Sequence, residues 1–171
     1  TFDWLDLGGS GDVVLINSIE IDTDDDPSFT PVRLDFGTPS SPVEAGYARV
    51  EETDVYNTGV GYGWLSGTLQ DRDRAIGSDL QRDFVFASNS MSFAADVPNG
   101  TYDVTVIMGD ASYTHEQMQL SIEGVVQAVV SQSGPADFYT NTFTVAASGG
   151  QMTFDWLDLD GPAAVVLINS I

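Results

Sequence analysis

Apolar and polar residues alternate with a period of two through most of this chain, most cleanly in Thr101-Tyr102-Asp103-Val104-Thr105-Val106-Ile107-Met108. Alternation sends successive side chains to opposite faces of a pleated ribbon, so this run predicts a strand with one buried face. Val32-Arg33-Leu34-Asp35-Phe36 repeats the pattern and stops at Gly37, while Phe84-Val85-Phe86 and Met91-Ser92-Phe93 predict two further strands. Met118 to Ile122 and Val125 to Val130 bracket Glu123-Gly124 as a hairpin, and Tyr139 to Ala146 alternates again before Ser148-Gly149-Gly150. Pro98-Asn99-Gly100 supplies a turn. No segment sustains a helical period with caps at its ends. The pattern therefore predicts an all-β chain of many short strands, an antiparallel β-sandwich of the jelly-roll kind.

Two runs depart from alternation. Val13-Val14-Leu15-Ile16 and Val165-Val166-Leu167-Ile168 are apolar at every position and mostly β-branched, which suits strands covered on both faces. They belong to a duplicated stretch: residues 1–19 and 153–171 are identical at 15 of 19 positions at a constant offset of 152. Self-similarity at one period marks a repeat architecture. The organisation it predicts is a strand pair over 1–21 equivalent to the end of a preceding repeat, an acidic linker over 22–31, and a β-sandwich module over 32–171. A strand carried at both ends can close its own module or be donated to a neighbour by strand addition. Val13, Val14, Leu15 and Ile16 with Val165, Val166, Leu167 and Ile168 are thus the candidate inter-subunit strand. Copies of the chain, or neighbouring repeats, are the expected partners.

Charge narrows the function classes. The 26 acidic residues face five arginines and no lysine, for a formal net charge of −21. A surface of that sign offers no clustered cations to phosphates, which excludes nucleic acid and disfavours anionic membranes. Insertion into a membrane is excluded too, because no apolar run approaches the length that spans a bilayer. With no cysteine, disulfides and thiol chemistry are absent. Strong acidity suits a salt-water or calcium-rich exterior, and the composition with the repetition predicts an extracellular or cell-surface location.

The acidic run Asp22-Thr23-Asp24-Asp25-Asp26-Pro27 is a solvated tether by composition. Its oxygens also make Asp22, Asp24, Asp25 and Asp26 candidate ligands for calcium, the only cofactor the sequence makes room for. From Tyr47 to Trp64 the chain interleaves Tyr47, Tyr56, Tyr62 and Trp64 with Gly59, Gly61 and Gly63, a loop composition suited to sugars. Tyr62 or Trp64 could stack against a pyranose ring, with Arg72, Asp110 and His115 donating to or accepting from its hydroxyls. Both rings could equally cap the core. Arg72, Arg74 and Arg82 lie among Asp71, Asp73, Asp79 and Asp83, with Arg49 upstream, and with so few cations these arginines are expected in bidentate carboxylate pairs that pin a long loop. His115 is the sole histidine and no Gly-x-Ser-x-Gly elbow occurs, so a serine hydrolase has no support.

In order along the chain, Leu34-Asp35-Phe36-Gly37, Gly46-Tyr47, Tyr62-Gly63-Trp64, Arg72-Asp73-Arg74, Arg82-Asp83-Phe84-Val85, Val97 to Val104, Gly109-Asp110 and Leu167 to Ile171 resemble galactose-binding-like β-sandwich modules. These are the modules that accompany bacterial pectin-degrading esterases and lyases; more loosely, the chain resembles malectin-type domains. The resemblance covers nearly all of 32–171. It implies two antiparallel sheets, a sugar site on loops at one end, a structural calcium in some relatives, and no catalysis. The expected function is a non-catalytic repeat module of an extracellular surface or matrix protein, building a fibre or adhesin. The alternative is a carbohydrate-binding module for a plant or algal polysaccharide.

Overall fold

A computed structural model describes residues 13–14, 18–22, 30–115, 117–159 and 165–169. Leu15, Ile16, Asp24, Asp25 and Asp26 lie outside the described residues.

Fourteen strands and no helix occur among the described residues. In chain order they are β1 Val13–Val14, β2 Ser18–Asp22, β3 Val32–Phe36, β4 Ala48–Val50, β5 Tyr62–Ser66, β6 Leu69–Asp73 and β7 Asp83–Ser88. There follow β8 Ser90–Ala95, β9 Gly100–Met108, β10 Met118–Ile122, β11 Val125–Val130, β12 Tyr139–Ala147, β13 Met152–Asp158 and β14 Val165–Ile168. They form two five-stranded sheets, ordered β12-β9-β2-β3-β4 and β11-β10-β13-β8-β5, and a four-stranded sheet ordered β1-β14-β7-β6. The fold is an all-β sandwich, with antiparallel pairing throughout apart from β1–β14 and β3–β4. The smaller third sheet goes beyond the two sheets expected.

The alternating strands do what alternation requires. On β9 the inward residues Tyr102, Val104, Val106 and Met108 are buried between outward threonines and Asp103, and on β13 Met152, Phe154 and Trp156 are buried likewise. The two five-stranded sheets meet in an aromatic knot: Phe36 of β3 lies 5.3 Å from Trp64 of β5 and 5.2 Å from Phe93 of β8. Gly63 beside Trp64 has φ +147°, and a Cβ there would stand 2.5 Å from the backbone of Tyr56. Only glycine lets the 54–57 segment lie that close, so this glycine is structural.

The duplicated ends meet. Val13 and Val14 of β1 pair in parallel with Val165 and Val166 of β14, each residue beside its own counterpart at the 152-residue offset. Leu167 and Ile168 pair with Phe86 and Val85 of β7. The segment Ser18–Asp22, placed by sequence at the end of the strand pair and the start of the linker, is a central strand of the sandwich between β3 and β9. Asp22 is thereby in β2, opposite Asp103.

Two buried acids sit where these sheets join. Asp35 and Asp83 are both about 2% exposed or less. Asp35 Oδ2 accepts from the Glu44 N–H at 2.8 Å, Asp83 Oδ2 accepts from the Ser41 hydroxyl, and each Oδ1 is without a partner. Burial pushes both carboxyls up to about 7 against the weaker pull of those donors, and Asp35 raises Asp83 further. A carboxyl raised in the fold holds a proton that the unfolded chain releases above about pH 4. Its protonation therefore stabilises the fold fully below about pH 4, and that contribution is lost as pH rises through 7. Asp83→Asn, which keeps an acceptor for Ser41, is expected to raise the melting temperature at pH 8 by roughly 5 °C and to flatten its decline between pH 5 and 8. Thermal melts of both proteins across that range check it.

Candidate functional site

The outer face of the small sheet carries a cleft of about 410 Å³, lined by Arg72, Arg74, Phe84, Phe86, Tyr113, His115 and Leu167. Register explains why these residues gather. Arg72 pairs with Phe84, Gln70 with Phe86, and Phe86 with Leu167, and directly opposed residues share a face. Val85 and Ala87 take the other face and bury in the core. The loop between β9 and β10 folds over one end and brings Tyr113 and His115. Gly109 opens that loop: a Cβ there would stand 2.4 Å from the ring of Phe138.

Arg74 is the centre of the cleft. Its guanidinium holds Asp110 in a fork, Nε to Oδ1 at 2.9 Å and Nη2 to Oδ2 at 2.6 Å. One aromatic ring lies over each of two flanks, Phe84 at 5.2 Å and Tyr113 at 4.7 Å from Cζ. Asp110 is completely buried and also accepts from the Ser112 N–H at 2.7 Å and from His115 Nε2 at 3.3 Å. Burial alone would raise Asp110; the donors His115, Arg74 and Ser112 outweigh it and hold the carboxylate at about 2. Burial lowers His115, against the opposing pull of Asp110, and its Nε2–H donates a hydrogen bond to the Asp110 carboxylate. Gln132 completes the frame, accepting from the Asp110 N–H and donating to the Asp137 carbonyl.

The arrangement is a rigid cationic and aromatic surface whose charge is largely compensated. Arg72 is exposed, its guanidinium 5.9 Å from the Phe86 ring, and no carboxylate lies at ion-pair distance from it among the described residues. Tyr113 is 59% exposed, while Phe84 and Leu167 form a buried floor. Arg82 makes the expected fork with Asp73 at 2.9 and 3.1 Å, whereas Arg49 grips the carbonyls of Thr38 and Ser41.

The residues singled out for sugar binding divide accordingly. Arg72 and His115 line the cleft, and Asp110 lies behind it, spent on Arg74 and closed to any ligand. Trp64 is 2% exposed, wedged at 5.0 Å against Phe93 with Nε1 donating to the Glu51 carbonyl at 2.8 Å. It is a core residue and corrects the expectation of a sugar platform there. Tyr62 stacks on Phe93 and lines a separate cleft of about 530 Å³ with Tyr47, Val60 and Asp96, between the edge strands β4 and β5. Tyr113, Phe84 and Phe86 went unselected by sequence. Phe84 and Phe86 were legible as one face of a strand, but not as the face that meets Arg72. Among the described residues no group of three or more His, Asp or Glu is arranged to hold a metal ion.

Against known proteins, the profile of the family described as beta-agarase/YXIM esterase-like, galactose-binding domain-like matches residues 32–163. The chain belongs to this family. It is a galactose-binding-like domain of the agarase and YxiM type, whereas sequence resemblance pointed to the modules of pectin-degrading enzymes. The domain is 30% identical over 127 residues to beta-agarase A of Zobellia galactanivorans, matching 72% of this chain and 23% of that protein. It is 30% identical over 125 residues to the uncharacterized esterase YxiM of Bacillus subtilis, matching 70% of this chain and 30% of that one. The chain thus spans less than a third of the length of these relatives. The crystal structure of YxiM from Bacillus subtilis superposes with a TM-score of 0.56 at 26% identity over 77% of this chain and 41% of that one. A plant complex of the peptide RALF23 with FER and LLG2 shares the fold, with a TM-score of 0.52 at 11% identity over 81% of this chain and 37% of that one. No helix among the described residues is long and apolar enough to cross a membrane.

Proposed function

We propose that this galactose-binding-like domain is a non-catalytic carbohydrate-binding module, and that its ligand is a neutral algal or plant galactan held in the Arg74–Tyr113 cleft. The observation that carries the reading is the exposed ring of Tyr113, stacked on the Arg74 guanidinium at 4.7 Å. A ring fixed before binding presents an apolar plane to the C–H face of a pyranose at little entropic cost. Arg72, which also lines the cleft, offers N–H donors to hydroxyls. With a net charge of −21, an acidic polymer meets general repulsion, so a neutral one fits better.

Affinity to an agarase by name supports a galactan, and it favours binding over the fibre or adhesin role expected from the repeat. An extracellular site of action follows from the same reading, since polysaccharides of that size lie outside cells. The duplicated ends support a second role, the linking of such domains in series.

Affinity electrophoresis through agarose-type and pectin-type gels tests the proposal. Retardation by the neutral galactan is expected, with Tyr113→Ala weakening it by about tenfold or more, in line with roughly 1–3 kcal/mol for a lost aromatic anchor. Equal retardation of wild type and variant would overturn the assignment of the cleft.

A further inference from the structure

The central strand β2 comes from Ser18–Asp22, and Asn169, just after β14, hydrogen-bonds to the same neighbour, β3. Ile19 of β2 stands opposite Leu34 of β3, in antiparallel register. Two residues further along β3, the Phe36 N–H donates to the Asn169 carbonyl at 2.7 Å. At the 152-residue offset, Ile171 is the counterpart of Ile19 and Asn169 stands two residues before it. An antiparallel strand that placed Ile171 opposite Leu34 would place Asn169 opposite Phe36, and the Phe36–Asn169 hydrogen bond is one that such a strand makes. Asn169 thus meets β3 at the position that the β2 register, continued by two residues, assigns to its counterpart, and both copies read Ile-Asn-Ser-Ile at this point.

We propose that the place between β3 and β9 is an exchangeable strand socket, and that the Ser18–Asp22 segment of a second copy of this chain can occupy it. The socket needs an occupant. β2 pairs with β3 on one side and with β9 on the other, and Ile21 is wholly buried in the core between the sheets. Left empty, it would expose a row of unpaired backbone groups on two strands and an apolar slot. It is also selective: Arg33 Nε donates to Glu20 Oε1 at 2.9 Å, which fixes the register on the outer face while Ile21 fixes it on the inner. Any segment with this sequence fits equally, so occupancy is decided by effective concentration, as in domain swapping.

The lack of cysteine makes the test clean. Glu20 and Arg33 are direct partners across β2 and β3, at a spacing suited to a disulfide. Glu20→Cys and Arg33→Cys, made as single variants of the full chain, are mixed, unfolded, refolded together at low and high concentration, and oxidised. Peptide mapping by mass spectrometry then reads the disulfide joining positions 20 and 33 between chains. Exchange predicts this species, with its ratio to monomer rising about tenfold for a tenfold rise in concentration during refolding. The double variant in one chain should cross-link internally when refolded dilute. Internal cross-linking of the double variant without any mixed species at high concentration would overturn the exchange. Failure of the double variant to cross-link at all would overturn the socket itself.

Discussion

Replacing Asp110 with alanine is expected to lower the melting temperature by on the order of 10 °C and to abolish retention by a galactan gel. The carboxylate is fully buried and is the only acid on the Arg74 guanidinium among the described residues, whose side chain is 21% exposed. Removing one partner of a buried pair leaves the other charged and unpaired, at a cost of about 3–5 kcal/mol. For a domain of this size each kcal/mol moves the melting temperature by roughly 2–4 °C. The binding loss has a separate cause. Without its fork Arg74 no longer sits between Phe84 and Tyr113, and the ring that is proposed to meet the sugar loses its backing. Asp110→Asn keeps the shape and one acceptor, so it should lie between wild type and alanine in both calorimetric melts and gel retardation. An alanine variant that melts like wild type would show that the fork is not holding the cleft.

Trp64→Ala is expected to destabilise the fold by a similar amount, about 3–5 kcal/mol, because it empties the aromatic knot at Phe36 and Phe93 and strands the Glu51 carbonyl. Below its melting temperature the variant should still bind galactan as wild type does, because Trp64 is in the core and not in the cleft. Trp64→Phe should recover much of the stability. Denaturant melts alongside gel retardation separate the two effects. Loss of binding at full stability would return Trp64 to the site.

The contrast between Trp64 and Tyr113 shows how far a sequence carries. Period-two alternation is enough to place β3, β9 and the β10–β11 hairpin, and to fit the absence of helix among the described residues, because each strand's inner face must be apolar on its own. Trp64 and Tyr62 were two residues apart in a glycine-rich run and so both looked like sugar platforms. Which of them is buried depends on Phe36 and Phe93, whose approach is set by sheet packing and not by spacing. The cleft was half legible: Arg72 and His115 were singled out by residue type, whereas Tyr113 sits in a loop with no period to reveal it. Asp110 has the acceptor oxygens a sugar site needs, but the fold turns them onto Arg74. Its neighbour in space, Arg74, is 36 residues away. The duplicated stretch is visible in the sequence; that its first copy runs at Ser18 into the central strand β2 is set by pairing with β3 and β9, which no local pattern reveals.

The location of the ligand is the central claim, and a titration of isotope-labelled protein with a neutral galactan oligosaccharide, followed by amide and arginine side-chain NMR shifts, tests it most directly. The account predicts that shifts concentrate on Arg72, Arg74, Phe86, Tyr113 and His115. Shifts confined to Tyr47, Val60, Tyr62 and Asp96, or none at saturating oligosaccharide, would contradict it.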